Sequence, residues 1–227
     1  MFIAIVLSLG FATTALADYV PPQDASAPSG STTTTGVRRG CVDNTAAQLT
    51  ALAPQKHVGR SADPHPTFAW YVPDSDPFPL EFRLYQLRPN GDRQLIQKAE
   101  LKSSPGLMAF ALPETAKGLS LGQTYIWQVI LFCNPNRPSS ALVTQAELEV
   151  VPAPAQLQGN LSKLDLVERA DRYAEVGLWY DALGTVATSK ADDKSQSYRK
   201  ILIDELARLE PTGDVAGLAK VMDPSIQ

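Results

Sequence analysis

From about Gln48 to Val151 apolar and polar residues alternate in short runs broken by turn signals every eight to twelve residues or so, the signature of an all-β sandwich or barrel. Seven segments carry the period of two: "QLTALA", "TFAWYV", "LEFRLYQLR", "RQLIQKAEL", "GLMAFAL", "TYIWQVILFC" and "ALVTQAELEVV". Successive side chains on a strand point to opposite sides, so the alternation also assigns faces. Phe68, Trp70 and Val72 share one face of their strand, and Leu80, Phe82 and Leu84 one face of the next. In "TYIWQVILFC" the shared face carries Tyr125, Trp127, Val129, Leu131 and Cys133, which assigns Trp70 and Trp127 to the core. The last strand directs Leu142, Ala146, Leu148 and Val150 inward and Gln145, Glu147 and Glu149 outward. Asn90-Gly91, in "RPNGD", tolerates the positive φ of a tight hairpin between the third and fourth strands.

After the proline-bearing linker of residues 152–160 the period becomes helical. Leu161, Leu164, Val167, Ala170 and Ala174 form one apolar stripe, with Asn160 placed as its N-cap. A second helix over "LWYDALGTVA" follows Gly177, a third spans "KSQSYRKILIDELARL" with Tyr198, Leu202, Leu206 and Leu209 on one side, and a fourth covers "DVAGLAKVM". Tyr173, Gly177, Trp179 and Ala182 have the spacing of a helix junction in a tetratricopeptide repeat; a local αα-hairpin sharing only that junction is the plainer alternative. A lone unit of this kind must bury its apolar face on the sandwich or on a partner. Leu119, Gly122 and Tyr125 stand as L-x-x-G-x-x-Y before a strand, the spacing of the tyrosine corner in immunoglobulin-like and fibronectin type III sandwiches; an ordinary strand entered through a glycine turn gives the same pattern. The expected fold class is α+β, mainly β: a seven-stranded immunoglobulin- or fibronectin-III-like β-sandwich over residues 38–151, then a helical hairpin array with a tetratricopeptide-like junction over 161–224.

Residues 1–17 carry no charged side chain and end in Ala15-Leu16-Ala17, which predicts a signal peptide cleaved before Asp18. Residues 18–37 are Pro, Ser, Thr, Gly and Ala with almost nothing large to bury, and are expected as a disordered tether. A periplasmic or otherwise exported location follows, with no transmembrane helix once the signal is removed. In that compartment two cysteines, Cys41 and Cys133, point to one disulfide. The net charge of −4 is mixed along the chain, which sets nucleic acid aside as a partner.

Little chemistry is legible. The two histidines, His57 and His65, lie between the first two predicted strands without a nucleophile elbow or a catalytic cysteine context, and read as loop residues. No C-x-x-C or H-E-x-x-H spacing suggests zinc, and no cofactor motif is present. Asp74 and Asp76, in "VPDSDPFP", are weak calcium candidates, because the loop lacks the glycine turn and distal glutamate of an EF-hand; a solvated turn is the expectation. Tyr71 and Tyr85 fall opposite the core residues of their strands and are candidate stacking groups for a sugar or peptide. Arg38 and Arg39 are either solvated charges beside a disulfide or a basic spot meeting anionic envelope material.

These segments together resemble a family of exported cyanobacterial proteins known as domain of unknown function number nine-hundred-twenty-eight. The resemblance rests on "RRGC", "LTALAP", "PTFAWYVP", "LEFRLYQ", "LSLGQTYIWQVILFCNPNRPS" and "YAEVGLWYDAL", in that order from Arg38 to about Leu209. It implies a signal-bearing protein of unassigned activity with cysteines at the positions of Cys41 and Cys133, and supplies no catalytic residue. The expected function is a non-enzymatic exported module binding a protein or cell-envelope component. The alternatives are an envelope hydrolase using paired carboxylates and a carbohydrate-binding β-sandwich.

Overall fold

The computed structural model describes residues 19–30, 40–41, 47–157, 159, 161–187 and 193–222. Among these the chain is mixed α/β, with eight strands in two sheets and four α-helices. The strands are β1 (Thr50–Ala51), β2 (Gly59–Ser61), β3 (Thr67–Val72), β4 (Pro79–Leu87), β5 (Arg93–Lys102), β6 (Gly106–Ala111), β7 (Thr124–Leu131) and β8 (Leu142–Val150). A small sheet has the order β1-β3-β6 and a larger one the order β2-β8-β7-β4-β5. All seven expected segments contain strands. The eighth, β2, was not expected: it has no apolar alternation and pairs parallel to β8, Gly59 opposite Leu148, through a contact far along the chain.

The two sheets meet through the aromatic faces that the alternation assigned. Phe68 of β3 lies 5.0 Å from Phe82 of β4 and 5.5 Å from Trp127 of β7 between ring centroids, and Phe110 of β6 stacks on Phe82 at 4.5 Å. Trp70, Val72, Leu80, Leu84, Tyr125, Val129 and Leu131 are buried with them, as are Leu142, Ala146, Leu148 and Val150 of β8. The β4–β5 hairpin turns where Asn90-Gly91 predicted, with Gly91 at φ +85° and its N–H donating to the Arg88 carbonyl at 2.8 Å. At the entrance to β7 the Tyr125 hydroxyl accepts the Ser120 N–H at 2.9 Å, closing the loop onto upstream backbone.

The helices are α1 (Leu166–Glu175), α2 (Trp179–Ala187), α3 (Asp193–Leu209) and α4 (Asp214–Met222). Asn160, the expected N-cap, lies outside the described residues, and α1 starts later than the apolar stripe implied. Asp165 caps it: its carboxylate accepts the Glu168 N–H while the Glu168 carboxylate accepts the Asp165 N–H, and Leu161–Lys163 forms a short 3-10 turn ahead of it. Such a reciprocal capping box fixes a start more firmly than hydrophobic spacing does. Helices α1 and α2 form a hairpin across a turn in which Gly177 has φ +78°, with Ala170, Ala174 and Ala182 fully buried. Trp179 is used on the β side: its Nε1 donates to the Leu52 carbonyl at 2.9 Å. One hydrophobic cluster therefore runs without interruption from the two sheets into the helices.

The N-terminal segment departs most from expectation. Residues 19–30 lie against the body, Tyr19 is only 2 % exposed, and the Val58 N–H donates to the Ser26 carbonyl at 2.9 Å. Glu147, assigned outward on β8, is buried because Ser29 Oγ and the Gly30 N–H donate to its carboxylate at 2.7 and 3.0 Å.

Candidate functional site

The residues singled out from the sequence do not converge. Arg38 and Arg39 lie outside the described residues. Cys41 and Cys133 form the expected disulfide, with Cα atoms 4.9 Å apart and a sequence separation of 92. Tyr71 and Tyr85 are half-buried and stand on different sheets, Tyr71 on β3 and Tyr85 on β4, so they form no row. Asp74 is buried, at 1 % exposure, where a solvated turn was expected, while Asp76 is exposed; no cluster of three or more potential metal-ligating side chains occurs among the described residues. Both histidines lie in loops, as expected, but they are half-buried and partnered. His57 Nε2 meets the Tyr19 hydroxyl at 2.9 Å, and burial, assisted by the Arg60 charge, pushes its pKa down. His65 Nε2 meets the Ala116 carbonyl at 3.2 Å.

A polar pocket lies instead where the helical hairpin meets the sheets. It has a volume of about 230 Å³ and is lined by Ser61 at the end of β2, Asp63 and Pro66 from the β2–β3 connection, Thr67 at the start of β3, Arg169 and Tyr173 from α1, and Tyr180, Asp181, Gly184 and Thr185 from α2. The connection is shaped locally. Asp63 N–H donates to Ser61 Oγ at 3.1 Å, and the Asp63 carboxylate accepts the His65 N–H at 2.8 Å. Arg169 and Tyr173 are four residues apart and so share a face of α1. Asp181, in the first turn of α2, fastens the two parts together by accepting the Ala62 N–H at 3.0 Å.

The electrostatics of this pocket are unusual for the chain. Burial raises the Asp181 carboxyl to about 7, against lowering by the Ala62 N–H and the Ser61 hydroxyl and with a further upward contribution from the Asp63 charge. Tyr173 is pushed up, first by burial, then by the charge of Asp181, with Arg169 opposing and Asp63 adding. Arg169 Nε is buried and has no hydrogen-bond partner among the described residues. A buried donor of this kind normally has a partner. Near neutral pH Asp181 thus donates or accepts, and Arg169 holds a donor in reserve. The pocket can hold a small polar group and can exchange a proton at Asp181.

Asp63, Arg169 and Asp181 were not found from the sequence. One signal was available for Asp181: it stands between Tyr180 and Ala182 on a nine-residue helix with six buried residues, a poor place for an unpartnered carboxylate. Tyr173 was singled out only for its helix spacing.

The fold and the pocket define a mixed α/β protein with a polar cavity at its sheet–helix junction. The chain belongs to the family described as Domain of Unknown Function (DUF928), which matches residues 34–210. That span includes every strand, α1 to α3, both cysteines and all the pocket-lining residues, and leaves out the segment 19–30 and α4. No curated protein matches the chain.

Proposed function

We propose that this protein is an exported, non-enzymatic binding module, and that the pocket between the β2–β3 connection and the helical hairpin receives the polar end of a protein or cell-envelope component. The carrying observation is the partnerless buried Nε of Arg169 in a cavity that also presents Asp63 and Asp181. This donor and these carboxylates suit a group with both hydrogen-bond acceptors and donors, such as a peptide terminus or one sugar unit of an envelope polymer. At about 230 Å³ the cavity is smaller than the roughly 300–1,000 Å³ of drug-sized ligand sites, which also favours a single residue or sugar unit. The disulfide, and the absence of any helix long and apolar enough to cross a membrane among the described residues, are compatible with export. In this reading the strands form a sandwich of the immunoglobulin or fibronectin III kind, with Tyr125 as its tyrosine corner, and the α1–α2 hairpin with its tetratricopeptide-like junction forms one wall of the binding site. Isothermal titration with envelope-polymer fragments and short peptides tests it. Saturable binding that weakens in Arg169→Met and Asp181→Asn supports the reading, and binding unchanged in both variants refutes it.

A second reading, an envelope hydrolase using paired carboxylates, is favoured by one observation: Asp181 is raised to about 7 close enough to Asp63 to feel its charge. A proton donor tuned near neutrality beside a second carboxylate suits general acid catalysis. Release of products from the same fragments, abolished in Asp181→Asn, would establish it over the binding reading.

A further inference from the structure

Residues 19–30, "YVPPQDASAPSG", contain only two large apolar side chains, Tyr19 and Val20, and Val20 is 52 % exposed. A segment of this composition buries too little to order itself, so the free energy that holds it comes from the surface beneath. That surface reads it closely. Tyr19 N–H donates to Glu205 Oε2 at 2.5 Å, its hydroxyl meets His57 Nε2 at 2.9 Å, and its ring stands edge-on to Trp179 at 5.0 Å between centroids. The backbone is read as well: Val20 N–H donates to the Ala174 carbonyl at 3.2 Å, and the Ser26 carbonyl accepts the Val58 N–H.

The floor of the groove is cut to fit. At Gly177, where φ is +78°, a β-carbon would stand 2.8 Å from Pro22 Cγ and 2.9 Å from the Val20 carbonyl oxygen, so the segment passes directly over this glycine. Further along, Asp24 pairs with Arg60 at 2.8 Å. Every residue of the seat named here lies within the family match at 34–210, whereas the segment that fills it lies outside. The seat thus belongs to the shared domain and its occupant does not. It has no residue in common with the lining of the polar pocket.

We infer that this groove is a peptide-binding site for an extended segment anchored by a tyrosine and followed by proline, and that residues 19–30 are its tethered ligand. One deeply buried aromatic with flanking main-chain hydrogen bonds is the usual energetic anatomy of such a site. Tethering gives the resident segment a high effective concentration, so a competing peptide enters when the tether is cut or the anchor is removed.

The test uses the full chain with a protease site placed between Ser31 and Gly36, folded, then cut. The probe is a fluorescent, N-acetylated peptide of residues 19–30, which keeps the Tyr19 N–H as an amide. The cut chain is expected to take up the probe saturably, and the uncut chain about tenfold less or weaker still. A probe carrying Tyr19→Ala should bind about thirtyfold less or weaker still, the loss typical of a truncated central anchor. Absence of uptake by a cut chain with an unchanged circular dichroism spectrum, or equal uptake of the Tyr19→Ala probe, overturns the inference. Should cutting unfold the chain, the uncut full-length Tyr19→Ala variant decides: it takes up the wild-type probe far better than the parent does, or the inference fails. Because the polar pocket shares no residue with the groove, failure here leaves the proposed function untouched.

Discussion

Trp127 of β7 donates its indole Nε1–H to the hydroxyl of Tyr180 on α2 at 2.7 Å, deep in the interior, and that hydroxyl in turn donates to the Glu147 carbonyl of β8 at 2.9 Å. The Tyr180 ring stands edge-on to Phe68 and Trp127. One side chain therefore ties the helical hairpin to the middle of the larger sheet and also closes one wall of the polar pocket.

Tyr180→Phe keeps the ring but strands the buried Trp127 indole N–H and removes one bond to the Glu147 carbonyl. A buried unsatisfied donor costs about 1–3 kcal/mol, so a loss of that order is expected. Urea denaturation followed by tryptophan fluorescence measures it, and a change below the noise of that method would mean that the indole finds another partner.

Gly59 of β2 leaves the room that Tyr180 occupies: a β-carbon there would fall 2.7 Å from Tyr180 Cε2. Gly59→Ala is expected to displace the ring and cost about 1–3 kcal/mol, as overpacking does. Because the same ring lines the pocket, ligand affinity should fall in parallel, a link that a purely local strand defect would not produce. Calorimetric melting together with titration of a bound fragment checks both.

The raised carboxyl of Asp181 makes stability depend on pH with a definite sign. A folded value of about 7 against an ordinary 3.8 means that the folded state holds the proton more tightly. The contribution is fully present below about pH 4 and is lost as the pH rises through about 7. Asp181→Asn keeps an oxygen to accept the Ala62 N–H and removes the titration, so the variant should gain stability over the parent as pH rises from 5 to 8 or so. Glu210, also raised by burial, slopes the same way, whereas His57, pushed down, loses its contribution as the solution becomes acidic; comparing variant with parent at each pH cancels both. Melting curves across that range test it, and parallel curves would show that Asp181 titrates normally.

The Cys41–Cys133 bond joins residues 92 apart, and closing such a loop is worth about 4–5 kcal/mol on the chain-entropy model. The double Cys→Ser variant should therefore unfold at a much lower denaturant concentration, with little change in the far-ultraviolet circular dichroism of the folded protein. Equal midpoints for both proteins would mean that the bond constrains little in the unfolded chain.

Much of the scaffold was legible because local periodicity encodes it. Alternation placed Phe68, Trp70, Phe82 and Trp127 in the core, and the second, third and fourth expected helices fall close to the observed ends of α2, α3 and α4, since burial of one face is a property that each segment carries within itself. The cysteine pair was equally plain, because two thiols allow one pairing. The functional surfaces were not legible. The contact that positions Asp181 on Ala62 spans 119 residues, and Tyr19 reaches Glu205 across 186; neither leaves a local trace. Asp74 and Tyr19 read as solvent-facing because their segments are polar, and Glu147 by strand alternation, yet each is buried, since whether a position is covered depends on what the rest of the chain lays over it. Sequence alone decided which faces turn inward. Which distant carboxylates and hydroxyls share a cavity was settled by the packing of whole elements, which no local pattern records.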